Sequence, residues 1–278
     1  FADPKRVCIS GASYGGYAAL QALVRPTNPF SCAISGLPVT DLPFQQTNAD
    51  YSQSETARAY WLRAIGINSI NDPIAKSISP INHADKIKVP VYSVGNWSGA
   101  NLHLRGNTEG YMLAASKNKK LRIHTGTHFH PFHSEEGRMD QLRWFDQWLK
   151  GIDTGMMDQP MYRVWMQDWV PPQTCYTARP GRWVAEDIWP SPRIVPKELA
   201  LGPAGALGGT LGADLGQAQV CSPLWVGLSA GEVGRYGDEA DWPTDQRSDD
   251  AGSLVFQTDP LTEPCEILGA AQLRLRFS

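Results

Sequence analysis

A serine set between two glycines, Gly11-Ala12-Ser13-Tyr14-Gly15, is the residue of this 278-residue chain whose surroundings best suit a nucleophile. The apolar run Val7-Cys8-Ile9 leads into it, and the helix-forming run Ala18-Ala19-Leu20-Gln21-Ala22-Leu23 leaves it. Strand, Gly-x-Ser-x-Gly and helix in that order make a sharp turn that lifts the serine hydroxyl out of the backbone. Gly11 and Gly15 are expected to lack side chains so that strand and helix can approach closely. The first N–H groups of the helix then face any charge that develops beside the serine. The one on Tyr14 is expected to supply half of an oxyanion hole. A chance match in a glycine-rich loop is the competing reading, and the strand and helix on either side weigh against it.

A serine hydroxyl is a weak nucleophile without a base in hydrogen-bond reach. The run His124-Thr125-Gly126-Thr127-His128-Phe129-His130-Pro131-Phe132-His133 carries four of the six histidines and follows an apolar strand pattern. Imidazoles also bind metals, but no carboxylate or cysteine at ligand spacing accompanies these four. No metal and no cofactor is therefore expected.

The elements that must hold these residues read as two regions. Residues 6–10, 31–35, 88–94 and 121–125 are strand-like. The first two flank a helix over 14–24, a right-handed crossover that demands parallel strands. Helices are expected over 55–65, 106–116 and 134–150, the last with Met139, Leu142, Phe145, Trp148 and Leu149 on one face and Gly151 as its C-terminal cap. Past residue 151 the pattern changes to short alternating segments, Met161–Gln167, Leu254–Thr258 and Gln272–Phe277, with a glycine- and alanine-rich loop over 202–216. The expected boundary separates residues 1–155 from an all-β region, 156–278.

Composition excludes several classes. Hydrophobic residues make up 42% and the net charge is −3, so nothing attracts nucleic acid or an anionic membrane. No apolar run reaches transmembrane length. The chain opens on Phe1-Ala2-Asp3-Pro4 and enters a strand within a few residues, as a piece whose true start lies elsewhere would, so no compartment is legible. Cys8, Cys32, Cys175, Cys221 and Cys265 are odd in number and lack Cys-x-x-Cys spacing, so buried free thiols are expected rather than a disulfide framework.

Two family resemblances cover different stretches. Asp3-Pro4-Lys5-Arg6-Val7, the double glycine after Ser13, Pro38-Val39-Thr40-Asp41 and Ser79-Pro80-Ile81-Asn82-His83-Ala84-Asp85-Lys86-Ile87 resemble the prolyl oligopeptidase family over residues 3–91. Over residues 85–278 the carriers include Gly95-Asn96-Trp97-Ser98-Gly99, Leu102-His103-Leu104-Arg105-Gly106-Asn107, Arg143-Trp144-Phe145-Asp146-Gln147-Trp148-Leu149-Lys150-Gly151 and Asp245-Gln246-Arg247-Ser248-Asp249. These resemble the cocaine esterase / X-Pro dipeptidyl-peptidase group. The changeover falls at residues 86–94, as in a natural mosaic, a chimera or an unusual member of one family.

Both resemblances imply α/β plus all-β architecture: the C-terminal half of an α/β-hydrolase domain (strands 5–8), then a β jelly-roll sandwich. They imply a serine hydrolase that cleaves carboxylic esters or short peptides through an acyl-enzyme. The family pattern of strand, Gly, one residue, His selects His128 as the base and leaves His124, His130 and His133 to packing. The second oxyanion donor belongs to a loop upstream of residue 1. In both families an aspartate follows the third strand of this segment, but here Ser98 occupies that place, with Asp41 the better substitute and Glu109 the weaker. A half-sheet would also bare one edge of its first strand, through which the chain is expected to self-associate. The competing reading is an impaired hydrolase whose β region serves as a binding or assembly module.

Overall fold

A computed structural model describes residues 3–48, 52, 54–173, 176, 179–209, 217–230 and 245–275. Tyr51, Cys175 and the end of the 272–277 segment lie outside them. Four parallel strands arise where the apolar runs predict them: β1 (Cys8–Ala12), β2 (Cys32–Gly36), β3 (Val91–Asn96) and β4 (Lys119–His124), in the spatial order β1-β2-β3-β4. The 180° alternation of β2 sends Ala33 to one face, where it packs with Leu20, Leu23, Val24, Ile87, Val91 and Ala114. Cys32 and Ile34 go to the other face, against Tyr92, Val94, Trp144 and Met156. Helices α1 (Tyr14–Leu23) and α5 (Arg105–Leu113) cover the first face and α7 (Glu135–Phe145) the second, the layering that a parallel sheet buried on both sides requires. Between β2 and β3 run α2 (Leu42–Asn48), α3 (Glu55–Ile65) and α4 (Pro73–Ser77). A short α6 (His130–His133) leads into α7.

The apolar face predicted over 134–150 holds in part: Phe145 and, in the turn Asp146–Lys150 that follows α7, Trp148 and Leu149 pack against the core, and Gly151 caps the end at φ 68°. Within α7 the face differs: Gly137, Asp140 and Trp144 are buried, while Met139 and Leu142 are exposed. The reason is ionic. Lys120, Arg122 and His124 alternate on one face of β4 and are all buried there. Arg122 pairs with Glu136 and with Asp140, which also accepts from the Tyr92 hydroxyl. A buried cation demands its partner, and this draws a polar stripe of α7 inward.

The cysteines and the all-β region also depart from expectation. Cys8 and Cys32 are register partners on adjacent strands, Cα–Cα 4.6 Å, and form a disulfide. That pairing is a product of register, which neither position reveals alone. Cys221 and Cys265 are free thiols but exposed.

Met161–Gln167 does form a strand, β5 (Tyr162–Gln167), yet it pairs parallel to β4, and β6 (Gly181–Glu186) pairs antiparallel to β5. The open edge of β4 captures the segment expected to start a sandwich, giving one mixed six-stranded sheet.

The chain divides into two compact units, the second made mainly of residues 190–232 and 240–278. Its described residues carry only a short helix α8 (Arg247–Asp250), two single 3₁₀ turns and isolated bridges such as Ala206 with Gln257. None of its described apolar side chains is buried, so no jelly-roll sandwich forms among them.

Candidate active site

Ser13 ends the turn from β1 into α1 with φ 54° and ψ −118°. A non-glycine residue held there costs about 1–3 kcal/mol and persists only where neighbours enforce it. They do so here: the Ser13 N–H donates to the Gly36 carbonyl at the end of β2 (2.9 Å), and the Ser13 carbonyl accepts from Tyr17 N–H (3.1 Å). The hydroxyl makes no cap bond to its own helix, which frees it for chemistry.

The glycine requirement is sharper than the motif suggests. A Cβ on Gly11 would lie 2.3 Å from the Gly15 carbonyl oxygen, and one on Gly16 2.6 Å from the Gly36 oxygen. A Cβ on Gly15 would meet open space. Gly15 thus brings its backbone close to Gly11, and it is Gly11 and Gly16 that must be bare.

Tyr14 is the first residue of α1, a position whose N–H has no acceptor within the helix. Tyr14 is 53% exposed. It touches Tyr17 (centroids 5.1 Å) and Trp61 of α3 (6.0 Å), and Trp61 meets Tyr60 edge-on. An aromatic wall therefore stands beside Ser13.

His128 lies in the loop between β4 and α6, at the same carboxyl edge of the sheet, and is only 4% exposed. Gly126, at φ 83°, turns the chain out of β4. The His128 Nδ1 points toward the turn after β3, 3.8 Å from where a Cβ on Gly99 would sit, and that same point is 3.5 Å from Leu37, the residue after Gly36. The ring meets Phe129 edge-on (5.1 Å, 88°) and leans on His103 (5.2 Å, 47°). Burial holds the His128 pKa below the ordinary histidine value, so the ring is neutral and proton-accepting at neutral pH. Ser13 is anchored on Gly36, and Leu37, the next residue, approaches the same turn that His128 Nδ1 approaches.

A residue that spacing arguments missed ties this loop down. Asn96, fully buried at the end of β3, donates its side-chain amide to the Thr127 carbonyl (2.5 Å) and accepts the Gly99 N–H on Oδ1 (3.2 Å). The only signal in the sequence is a polar residue closing an apolar strand.

The acid position is vacant of any carboxylate. Ser98 stands in the turn with its hydroxyl buried and without a hydrogen-bond partner. Asp41 caps α2, its carboxylate accepting the Phe44 N–H (3.0 Å). Glu109 accepts from Arg105 (2.7 Å). The other histidines pack around this loop: His124 is buried edge-on to Trp183 (5.3 Å) and lies beside His130 (6.3 Å), and His133 stands near Phe129. Among the described residues no group of three or more His, Cys, Asp or Glu is arranged to hold a metal ion.

Parallel strands β1–β4, a strained serine between strand and helix, and a histidine loop at the same edge define an α/β-hydrolase fold. Residues 1–151 match the prolyl oligopeptidase family, and the chain belongs to it. Residues 154–278 match the X-Pro dipeptidyl-peptidase C-terminal non-catalytic domain.

A candidate Xaa-Pro dipeptidyl-peptidase of Bacillus cereus is 23% identical over 202 residues, 70% of this chain and 30% of that protein. Its counterpart in Bacillus anthracis is 24% identical over 123 residues, 44% of this chain and 18% of that protein. A CocE/NonD family hydrolase of Staphylococcus aureus superposes with a TM-score of 0.53 at 20% identity, over 71% of this chain and 37% of that one. The chain thus spans less than a third of the length of the curated relatives it matches.

Proposed function

We propose that Ser13 is the nucleophile, His128 its general base, and the Tyr14 N–H one donor of the oxyanion hole, in a hydrolase of carboxylic esters or short-peptide and other amide bonds. The observation that carries this is the φ of 54° at Ser13, strain that a structural serine has no use for. Ser13 Oγ attacks the substrate carbonyl as its proton passes to the neutral His128. The oxyanion forms beside the Tyr14 N–H at the start of α1. Collapse expels the alcohol or amine, which takes the proton from His128, and water then repeats the cycle on the acyl-serine.

Carboxylesterase action is preferred over acyl- or dipeptidyl-peptidase action. With Ser98 where the acid belongs, His128 lacks a carboxylate in that turn, and an alkoxide leaving group needs protonation less than an amine does. The aromatic wall of Tyr14, Trp61 and Tyr60 suits an apolar group on the substrate. Among the described residues β1 pairs with β2 alone, and its other side suits the addition of a further strand, including one from a second copy.

A fluorophosphonate probe tests the reading: it labels Ser13 in the folded chain and fails on Ser13→Ala and on His128→Ala. Ester hydrolysis unchanged by Ser13→Ala would favour the second reading, an impaired hydrolase whose C-terminal unit binds a partner. Ser98 is the observation behind that alternative.

A further inference from the structure

His103 is a large buried polar group at this edge to which neither family resemblance gives a role. It is 4% exposed, as is His128, and the two rings lean together with centroids 5.2 Å apart. Neither ring nitrogen of His103 makes a hydrogen bond of normal geometry. Leaving such a group buried and unsatisfied costs about 1–3 kcal/mol, so its persistence asks for a use.

Its backbone asks the same question. His103 sits in a single π-helical turn, Ala100–Leu104, wedged between the 3₁₀ turn Trp97–Gly99 and α5. Such wide turns inside helices gather at functional sites, because they re-aim a side chain that regular winding would point elsewhere. Here the turn begins two residues after Ser98 and delivers an imidazole to His128.

Charge decides what that imidazole does. Burial, then the neighbouring His128, push the His103 pKa down to about 4, against a weak pull from the Pro38 carbonyl. On its other side His103 lines a small cavity with Asp41, Arg105 and Glu109; Asp41 is engaged in capping α2, and the other two pair with each other. His103 is therefore neutral throughout the neutral pH range, a lone-pair acceptor and not a second cation.

We propose that His103 is the positioning residue for His128, a neutral imidazole that does the orienting work of the carboxylate missing at Ser98. When the Ser13 proton moves to His128 Nε2, the Nδ1–H of the resulting imidazolium is held by a nitrogen lone pair of His103, and no proton passes further. The inference rests on His128 being the base, and its test reads the two claims separately.

The test compares the unmodified 278-residue chain with His103→Gln, which keeps a neutral acceptor, and His103→Leu, which fills the space without one. In His103→Leu, kcat for p-nitrophenyl acetate falls by about 10- to 100-fold while KM stays within about twofold, the signature of a group acting on the transition state. His103→Gln recovers most of the loss. Histidine NMR titration gives a readout independent of turnover: the His128 pKa falls in His103→Leu and is restored in His103→Gln.

An unmoved His128 titration and unchanged kcat in folded His103→Leu overturn the proposal. If that variant does not fold, the unmodified chain still decides: long-range ¹H–¹⁵N spectra must show neutral His128 protonated on Nδ1, and an Nε2-protonated ring overturns it. If instead Ser13 takes no fluorophosphonate label while His103 still shifts the His128 titration, the hydrolase reading fails and the contact between the rings stands.

Discussion

The Asn96 side chain donates to the carbonyl of Thr127, the residue before His128, and accepts from Gly99 on its other end. One buried amide therefore clasps the turn after β3 to the loop after β4. Replacing it with alanine removes two bonds and leaves the buried Gly99 N–H unpaired, while the Thr127 carbonyl keeps the His130 N–H. Asn96→Ala should lose about 1–3 kcal/mol of stability by urea unfolding, the cost of the one stranded N–H. Fluorophosphonate labelling of Ser13 should slow as well, because the His128 loop loses its tether. A variant that keeps full stability and labelling rate would show that the clasp holds nothing.

The elbow glycines separate by what a methyl group would strike. Gly11→Ala and Gly16→Ala drive a Cβ into backbone oxygens at 2.3 and 2.6 Å, atoms that cannot rotate away. Each should cost more than about 3 kcal/mol, or prevent folding, by the overpacking mechanism. Gly15→Ala meets open space inside α1 and should be neutral or stabilising by up to about 1 kcal/mol. Denaturant midpoints of the three variants check the order, and a Gly15→Ala as damaging as Gly11→Ala would refute it.

The contrast also marks what was legible in the chain. Residue order carries the elbow, the four parallel strands and the His128 loop, because each rests on local spacing. Partners set by register or by a distant charge are hidden from such spacing. Cys8 finds Cys32 only once β1 and β2 align, and Asp140 turns inward only because Arg122 is buried on β4. Tyr162 and Val164 of β5 have the alternation of any half-buried strand, and it was the open edge of β4, not their own sequence, that chose their sheet. Asn96 and His103 escaped for a related reason: their roles lie in side-chain contacts across two loops.

Acid should unfold this chain by a route its histidines set. Burial is the leading cause holding His103, His124 and His128 below 6.5, with His128 adding to the effect on His103 and Arg122 to that on His124. With a depressed folded-state pKa, the unfolded chain takes up the proton first as pH falls. The stability these rings contribute is thus complete above 6.5 and drains away as pH drops toward their folded values. For His103 alone, the gap between 6.5 and about 4 is worth ~3 kcal/mol. Urea unfolding at pH 7.5, 6 and 4.5 should show a steady decline, flattened in His103→Gln. A variant whose decline matches the unmodified chain would remove His103 from the account.

Ser98→Asp asks whether the missing acid limits the enzyme. The His128 Nδ1 faces this turn, 3.8 Å from the Cβ position of the adjacent Gly99, and the Ser98 hydroxyl there is buried with no partner to lose. A carboxylate at residue 98 would be costly if left alone, and pairing with the imidazolium offsets that cost. Loss of the corresponding aspartate lowers turnover by about 10⁴ in the chymotrypsin-type example. Recovering even part of this should raise kcat for p-nitrophenyl acetate by about 10-fold or more. The sign of the pH effect follows from charge: a negative neighbour stabilises protonated His128, so its pKa rises and the acidic limb of the rate profile moves to higher pH. In the Ser98→Asp background His103→Leu should cost less than it does alone, since the carboxylate takes over the orienting role. Higher activity with no movement of the acidic limb would mean that the new carboxylate acts elsewhere than on His128, and an intact fold with no gain at all would mean that this turn never addresses the base.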